Sequence, residues 1–596
     1  MSIKKPAINY TSKEFVTIKN DLVNYAKRYY PGKFRDFTAN SFGSLMLDTT
    51  AYVGDVLSFY LDYQVNESFL STAIEYDNVV KVARQLGYRA NLSPSSYGIL
   101  TCFVLIPSSN GTPNFAYAPV VKRGSKFRTS AGKQFTLLED INFKDTDNVE
   151  VVVGNVSATG VPLTYAIRAK GQAVSGEIAV SKISIGDYSR FRTVTIPGNN
   201  ITEIIGVTDS EGNKYYEVDF LTQNTVHIPI INRGDNSDTV VNILKPISIP
   251  RRFTVLSDRD RVKLQFGFGT NEDAEQTLNP NNVLVKEHGK NYVTDTSFDP
   301  STLLKTDKLG VVPSNTVLTI VYRINSTDST NTGTNTIIVP SDIIFDFASQ
   351  ATLNASSVES VRRSLEVTNE HPFVGSSPLP SAEEIKQRAY GVYSMQNRMV
   401  TKDDFIAAVY NMPAKYGSIK KVNVVQDANS FNQRNINLYV ISNDNLGRLV
   451  KANMIIKSNL KTFLSKSKMI NDTIDILDAK IINLQIKFKI VSFPNVNKYS
   501  VLEAAKRELT LYYSNRNDFE IGEPFSITDI FAVLKHTAGV LDVVEVDVNE
   551  SSGGDYATTN FNADSNKTSD ARKIICPPDS IFEIKFYNSD IVGAVV

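Results

Sequence analysis

A chain of 596 residues, 42% hydrophobic and 21% charged, is too long for one core and has an ordinary globular composition, which implies roughly three to five domains. Lys plus Arg and Asp plus Glu both number 63, so no net field draws the whole chain to nucleic acid or to an anionic membrane. The two cysteines, Cys102 and Cys576, form no CxxC pair, and no apolar run reaches the ~20 residues of a bilayer span, so a disulfide scaffold, a thiolate zinc site and a membrane anchor are all disfavoured. The N-terminus MSIKKPAINYTSKEF has no apolar core of a secretory signal, and the chain reads as a soluble protein made in a reducing cytoplasm.

The first 94 residues read as a helical, bundle-forming segment. Phe15, Ile18, Leu22, Tyr25 and Tyr29 recur on one helix face that Pro31 and Gly32 bring to an end. A longer series, Leu45, Thr49, Tyr52, Val56, Phe59, Tyr63, Asn66 and Leu70, alternates spacings of four and three and predicts a seam between long helices. Such a stripe is more often a domain's own core, but the rings of Tyr52, Phe59, Tyr60 and Tyr63 favour an interface. Leu45, Tyr52, Val56, Phe59, Tyr63 and Leu70 are therefore the candidate partner-interface residues. Thr72 and Glu75 predict a capping box for a third helix through Val79, Val82, Ala83 and Leu86, with Gly87 as its stop.

Residues 95–345 read as a mostly β region of one or two subdomains, with strand-like runs broken by turn clusters such as Pro197 to Asn200 and Asp209 to Gly212. The polar stretch Ser326 to Thr336 predicts a mobile loop or linker. A helical connector follows over 346–417, with capping boxes at Ser381/Glu384 and Thr401/Asp404. Residues 418–550 read as α+β modules: strands at 419–425, 436–441, 482–490 and 540–548, and helices at 449–464, 501–513 and 527–534. Ile482, Leu484, Ile486, Phe488 and Ile490 alternate with Asn483, Gln485, Lys487 and Lys489, as on a half-buried strand. The segment 551–596 reads as a polar loop, dispensable for folding up to Arg572, and a final strand. The fold class expected is multidomain α+β, and a fragment beginning near residue 346 is expected to fold alone and self-associate.

Chemistry is sparse. The chain has no GxxxxGK[ST], HExxH or GxSxG motif. Gly267 and Gly269 form a lone GxG that fits a strand turn better than a dinucleotide site. His227, His288, His371 and His536 are scattered, and the alternation Asp258 to Arg261 suits an ion-pair lattice better than a metal site. No catalytic, cofactor-binding or metal-binding residue is expected.

Several ordered motifs then point one way. NSFGSLMLDTTAYV from Asn40 to Val53 is followed by Tyr60 and Asp62, ESFLSTA from Glu67 to Ala73, and ARQLGY from Ala83 to Tyr88. VKRGSKFRTSAGKQF from Val121 to Phe135, AEEIKQRA from Ala382 to Ala389, QNRMVT from Gln396 to Thr401 with Asp404 and Phe405, and Gly539 with Val540 come later. Together these resemble the baseplate J-like family, in particular the baseplate wedge subunit of large contractile-tailed (myovirus) phages. One departure is the single glycine, Gly333, where smaller members are glycine-rich. The resemblance implies a structural, non-enzymatic wedge protein of the virion, assembled in the host cytoplasm. It would pair with itself as a homodimer within the wedge, join a ring around the hub, and rearrange as the sheath contracts. Other baseplate wedge proteins are the implied partners, with sheath-initiator and hub proteins as further candidates; nucleic acid, membrane and cofactors are not implied. A tail-associated hydrolase or a receptor-binding tail component is the alternative.

Overall fold

The computed structural model describes residues 14–596 apart from 34–37, 39–40, 91, 146–147, 159, 233–241, 259–260, 270–308, 326, 328, 349, 428–429, 431–433 and 516–518. The architecture is the multidomain α+β one expected: N-terminal helices, a large central β region, and C-terminal helices with small α+β modules. The chain divides into two compact units, Met1–Ala90 with Pro380–Gln396, and Asn91–Leu379 with Asn397–Val596.

The first unit is helical. Helix α1, Phe15–Tyr29, stops ahead of Pro31 and carries Lys27 and Arg28 in its last turn, where they face the negative end of the helix dipole. Helix α2, Phe42–Glu67, is capped by Ser41, whose hydroxyl accepts from the Ser44 amide at 3.1 Å. Helix α3, Tyr76–Gln85, ends in a Schellman turn: Gly87 at φ +92° lets its own amide donate to the Arg84 carbonyl and the Tyr88 amide to the Ala83 carbonyl. Helix α4, Ala382–Met395, returns from far along the chain to pack Ile385, Ala389 and Val392 with Val79, Val80, Ala83 and Tyr88.

The capping box expected of Thr72 and Glu75 does not form. Thr72 instead donates its hydroxyl to the Asn66 carbonyl at 2.7 Å, and Glu75 stands at the N-cap without a side-chain cap bond. The buried carboxylate of Glu67, at the end of α2, takes the capping role. It accepts from the amides of Ile74 (2.8 Å) and Glu75 (3.3 Å) and from Asn78 Nδ2 (3.0 Å). The two capping boxes further on do form: Ser381 with Glu384 opens α4, and Thr401 with Asp404 opens the helix Lys402–Tyr410.

The β region of the second unit has two large sheets, one inserted into the other along the chain, and among the described residues also a two-stranded hairpin and a small three-stranded sheet. The eight-stranded sheet runs in the order Ile337–Asp342, Lys126–Thr129, Gln134–Leu137, Thr164–Ser175, Tyr97–Ser109, Thr112–Pro113, with Val149–Val153 and Glu366–Thr368 off this path. Its core gathers Leu100, Val104, Phe127, Phe135, Ile167 and Phe373, and the helix Ala355–Arg363 adds Val358 and Val361. A seven-stranded sheet is built from residues between Glu177 and Ile324 around Leu264, Phe266, Leu318 and Ile320. Entry and exit meet at Gly176, at φ +97°, where a Cβ would come within 2.6 Å of the Ile324 carbonyl.

The described part of the Ser326–Thr336 stretch is not a mobile loop, as its polarity suggested. Thr330, Asn331 and Thr332 are buried. The Asn331 side chain donates to the Ser376 carbonyl (2.8 Å) and accepts from the Ser376 amide (2.9 Å), while Thr330 bonds Ser175, and Ser175 bonds Asn325. Small polar side chains here satisfy buried backbone where distant segments cross.

One core of the C-terminal modules is built on the long strand Lys480–Ser492, which pairs with Val540–Ser551 on one side and with Ser580–Glu583 and Ile591–Val595 on the other. Ile482, Leu484, Ile486, Phe488 and Ile490 all point into it. Two expectations need correction. The helix predicted from Leu449 begins at Met454, because Leu449–Val450 is drawn into a strand against Asn443. The segment 551–572 is also tied down: Phe561 and Ala563 lie on the core, and the Tyr556 hydroxyl donates to the buried Asp590 carboxylate at 2.6 Å.

Candidate interaction surface

Helix α2 spans 26 residues, and apolar side chains cover most of its circumference outside a stripe that holds Asp48, Asp55 and Asp62. Its buried residues are small, Ser44, Ala51 and Ser58, apart from the capping Glu67. Small residues let α1 approach closely. At Gly54 a Cβ would sit 3.3 Å from Ile18, and Lys19 Nζ meets Asp48 at 2.6 Å. Ile18, Leu22 and Tyr25 of α1 line an open groove of about 500 Å³ with Gly54, Leu57, Ser58 and Leu61 of α2.

Among the described residues, nothing in the unit covers the remainder of α2. Of the seam residues, Leu45, Tyr52, Phe59 and Tyr63 are exposed and Val56 is half-buried. Leu70 lies past the helix end and is buried with α3 and α4, so it belongs to the unit's own core. The seam understates the surface: Phe42, Met46, Val53, Leu57, Tyr60 and Leu61 are exposed as well. A second row of apolar residues beside the seam was legible in the spacing of the charges, since Asp48, Asp55 and Asp62 stand seven apart on one stripe and leave the other sides of the helix uncharged between them.

The exposed rings are ordered. Phe59 and Tyr63 stack at 6.3 Å between centroids, and Tyr60 meets Phe59 edge-on at 5.9 Å. The Tyr63 hydroxyl donates to Glu75 at 3.3 Å. Partial desolvation, with Glu75 and Glu67 nearby, raises the Tyr63 phenol above its ordinary range, so it stays a neutral donor. A helix that is apolar over most of its circumference is most stable where that circumference is covered. Exposed apolar surface of this extent marks a contact site.

Elsewhere the side chains serve structure. Among the described residues, no group of three or more His, Cys, Asp or Glu is placed to hold a metal ion. Burial pushes the thiols of Cys102 and Cys576 up to about 12, which makes both poor nucleophiles. A cavity of about 370 Å³ lies between Leu446–Leu449, Tyr513, Phe519 and Phe582–Lys585. Its carboxylate, Glu583, already accepts from the Leu449 amide and Asn483 Nδ2, both at 2.8 Å. Gly267 lies where a Cβ would strike the Leu309 carbonyl, so the GxG serves close packing of backbone. His227, His371 and His536 are exposed, while His288, Arg259 and Asp260 lie outside the described residues. Asp258 pairs with Lys263 at 2.7 Å. Among the described residues no helix is long and apolar enough to cross a membrane.

Residues 18–85, the span of α1 to α3, match the family model described as "Bacteriophage baseplate protein, N-terminal domain". No curated protein matches the chain. Among solved structures the chain is similar to one described as "Cryo-EM structure of the anti-feeding prophage (AFP) baseplate, 6-fold symmetrised". That similarity covers 96% of this chain and 99% of the other at 10% identity, with a TM-score of 0.29, too loose a superposition to add weight. The helical segment that exposes the apolar surface is thus the one that matches a baseplate domain, and this supports a structural component of a phage tail baseplate.

Proposed function

We propose that this chain is a non-enzymatic wedge protein of a contractile-tail baseplate, located in the virion and assembled in the host cytoplasm. In this reading α2 joins a helical bundle with a second copy and with another wedge protein. Leu45, Tyr52, Val56, Phe59 and Tyr63 form the contact row, and Leu70 supports it from within the unit. Wedges then join as a ring around the hub, with the C-terminal half supplying contacts between wedges, and the ring rearranges when the sheath contracts. The observation that carries this reading is α2 itself: 26 residues, with large apolar side chains exposed over most of its circumference outside the Asp48–Asp55–Asp62 stripe, and only small residues and a capping Glu67 buried within its unit. A partner bundle supplies the missing cover at the ~25 cal/mol per Å² of ordinary apolar burial.

The test is the double substitution Val56→Asp, Phe59→Asp in the full-length chain, co-expressed with candidate wedge proteins. Two unpaired charges in a bundle seam cost several kcal/mol, enough to abolish a complex of ordinary affinity. Phe59 is exposed and Val56 half-buried in the isolated unit, so the fold should survive, which circular dichroism checks. A folded double variant that still co-purifies with its partners in full yield removes α2 as the joint.

A further inference from the structure

The strand Val149–Val153 is an edge of the eight-stranded sheet. It pairs with Thr164–Ser175 from Val149 opposite Ala169 to Val153 opposite Tyr165, and among the described residues no strand pairs with its other side. The ladder fixes which backbone groups face outward. Gly154 donates its amide to the Thr164 carbonyl at 2.9 Å, so Val152 and Glu150, in the same phase, bond inward. The N–H and C=O groups of Val149, Val151 and Val153 therefore point away from the sheet. Side chains along this edge are also open: Val151 is 41% exposed, Val152 63% and Val153 47%.

Several other edges among the described residues are guarded. Ile337–Asp342 carries Pro340 and two register shifts, and the hairpin of Thr225–Ile231 with Asn242–Ser248 holds Pro229 and Pro246. Glu177–Ile185 has Lys182 at its centre, and Val540–Ser551 has Asp542, Glu545 and Asp547. Such devices block strand addition. Val149–Val153 has no proline, lysine or bulge, and its one charge, Glu150, is held by Arg168 at 2.6 Å.

We propose that this edge pairs with the same strand of a second copy, antiparallel about a two-fold axis at Val151. Antiparallel pairing must set out-facing residues opposite out-facing residues. The register with Val151 opposite Val151 satisfies all three, since Val149 then faces Val153 of the second copy and the reverse. In that register Glu150 lies opposite Val152, so the carboxylates avoid the direct like-charge opposition that destabilises cross-strand pairs. Each copy presents an identical patch, so the contact closes at two. A five-residue edge is smaller than a standard stable interface, and the pairing is accordingly weak and concentration-dependent. The argument rests on the strand alone and is independent of the baseplate reading.

The experiment uses the full-length chain. Val152→Glu places a carboxylate opposite Glu150 twice by symmetry, and the dimer dissociation constant in sedimentation equilibrium should rise about tenfold. Val152→Lys places an ammonium there and should lower it. Neither touches the core, and equal thermal unfolding of both variants checks this. Val151→Cys should oxidise to a covalent dimer, because directly opposed Cα atoms about 5.5 Å apart suit a disulfide. Cys102 and Cys576 are buried and should not compete. The pairing is overturned by a wild-type chain that stays monomeric. Equal effects of Val152→Glu and Val152→Lys, or a Val151→Cys chain that forms no dimer or links to a different protein, overturn it as well. The α2 bundle is read separately by Val56→Asp, Phe59→Asp, so either idea can fail alone.

Discussion

Glu67 is the residue whose loss should be felt most locally in the helical unit. Its buried carboxylate takes two amides at the start of α3 and the Asn78 side chain. Glu67→Ala removes a charge-assisted cap and leaves three donors to find other acceptors. A hydrogen bond to a charged group contributes ~1.5–3 kcal/mol, and loss of an N-cap costs ~0.5–2 kcal/mol. Ile74 and Glu75 are exposed, so water can recover part of the loss, and a net cost of about 2.5 kcal/mol follows. Glu67→Gln keeps an acceptor without the charge and should cost about 1 kcal/mol. Because α3 delivers Val79, Val80 and Ala83 to the core shared with α4, the loosening should spread through that helix. Hydrogen exchange of residues 74–88 reads it directly: an opening equilibrium raised about 50-fold in Glu67→Ala, and about fivefold in Glu67→Gln. If exchange in both variants stays within a factor of two of the parent chain, the carboxylate is not what holds the α2–α3 turn.

Two further outcomes follow from the second unit. A fragment beginning near Asn397 should fold with a cooperative transition, since the core from Ile441 to Ile591 is self-contained. One beginning near residue 346 should be more prone to proteolysis at its start, because Val358, Val361, Val367 and Phe373 lose the sheet that covers them; limited proteolysis of the two compares them. Burial raises both thiols, so Cys102 and Cys576 should stay unreactive to a disulfide reagent at pH 8 in the native chain and react promptly in denaturant; fast native labelling of either would contradict their packing.

The elements that the sequence announces are those whose determinants lie within a turn or two. Ser381 with Glu384, and Thr401 with Asp404, are complete capping devices three residues apart, and both form. The strand Ile482 to Ile490 carries its burial in its own alternation. The failures are nonlocal. Thr72 and Glu75 have the right spacing, but the Glu67 carboxylate already occupies the helix start. The polarity of Thr330 and Asn331 suggests solvent, yet they bond to Ser175 and Ser376, which only the fold brings near. Leu449 has helical neighbours and is nevertheless claimed by a strand partner.

The same distinction bears on α2. Periodicity locates a stripe, and Leu45, Tyr52, Val56, Phe59 and Tyr63 do share one side of the helix. Periodicity cannot say whether a stripe is covered by the chain's own residues, and here the answer changes along its length: Leu70 is consumed by the core with α3 and α4, while Phe59 stands in the open. What distinguishes this helix is the narrowness of its polar face: Asp48, Asp55 and Asp62, seven residues apart, hold its mid-helix charge on one stripe, and the side carrying Phe42, Met46, Val53 and Tyr60 is apolar and exposed. A helix folded only for its own domain can leave its solvent side polar at no cost to the core. Phe42, Met46, Val53 and Tyr60, set beside the seam and away from α1, contribute nothing to the core of this unit. No described residue of the unit covers them, so the second apolar row, more than the heptad itself, is what marks α2 as a contact surface.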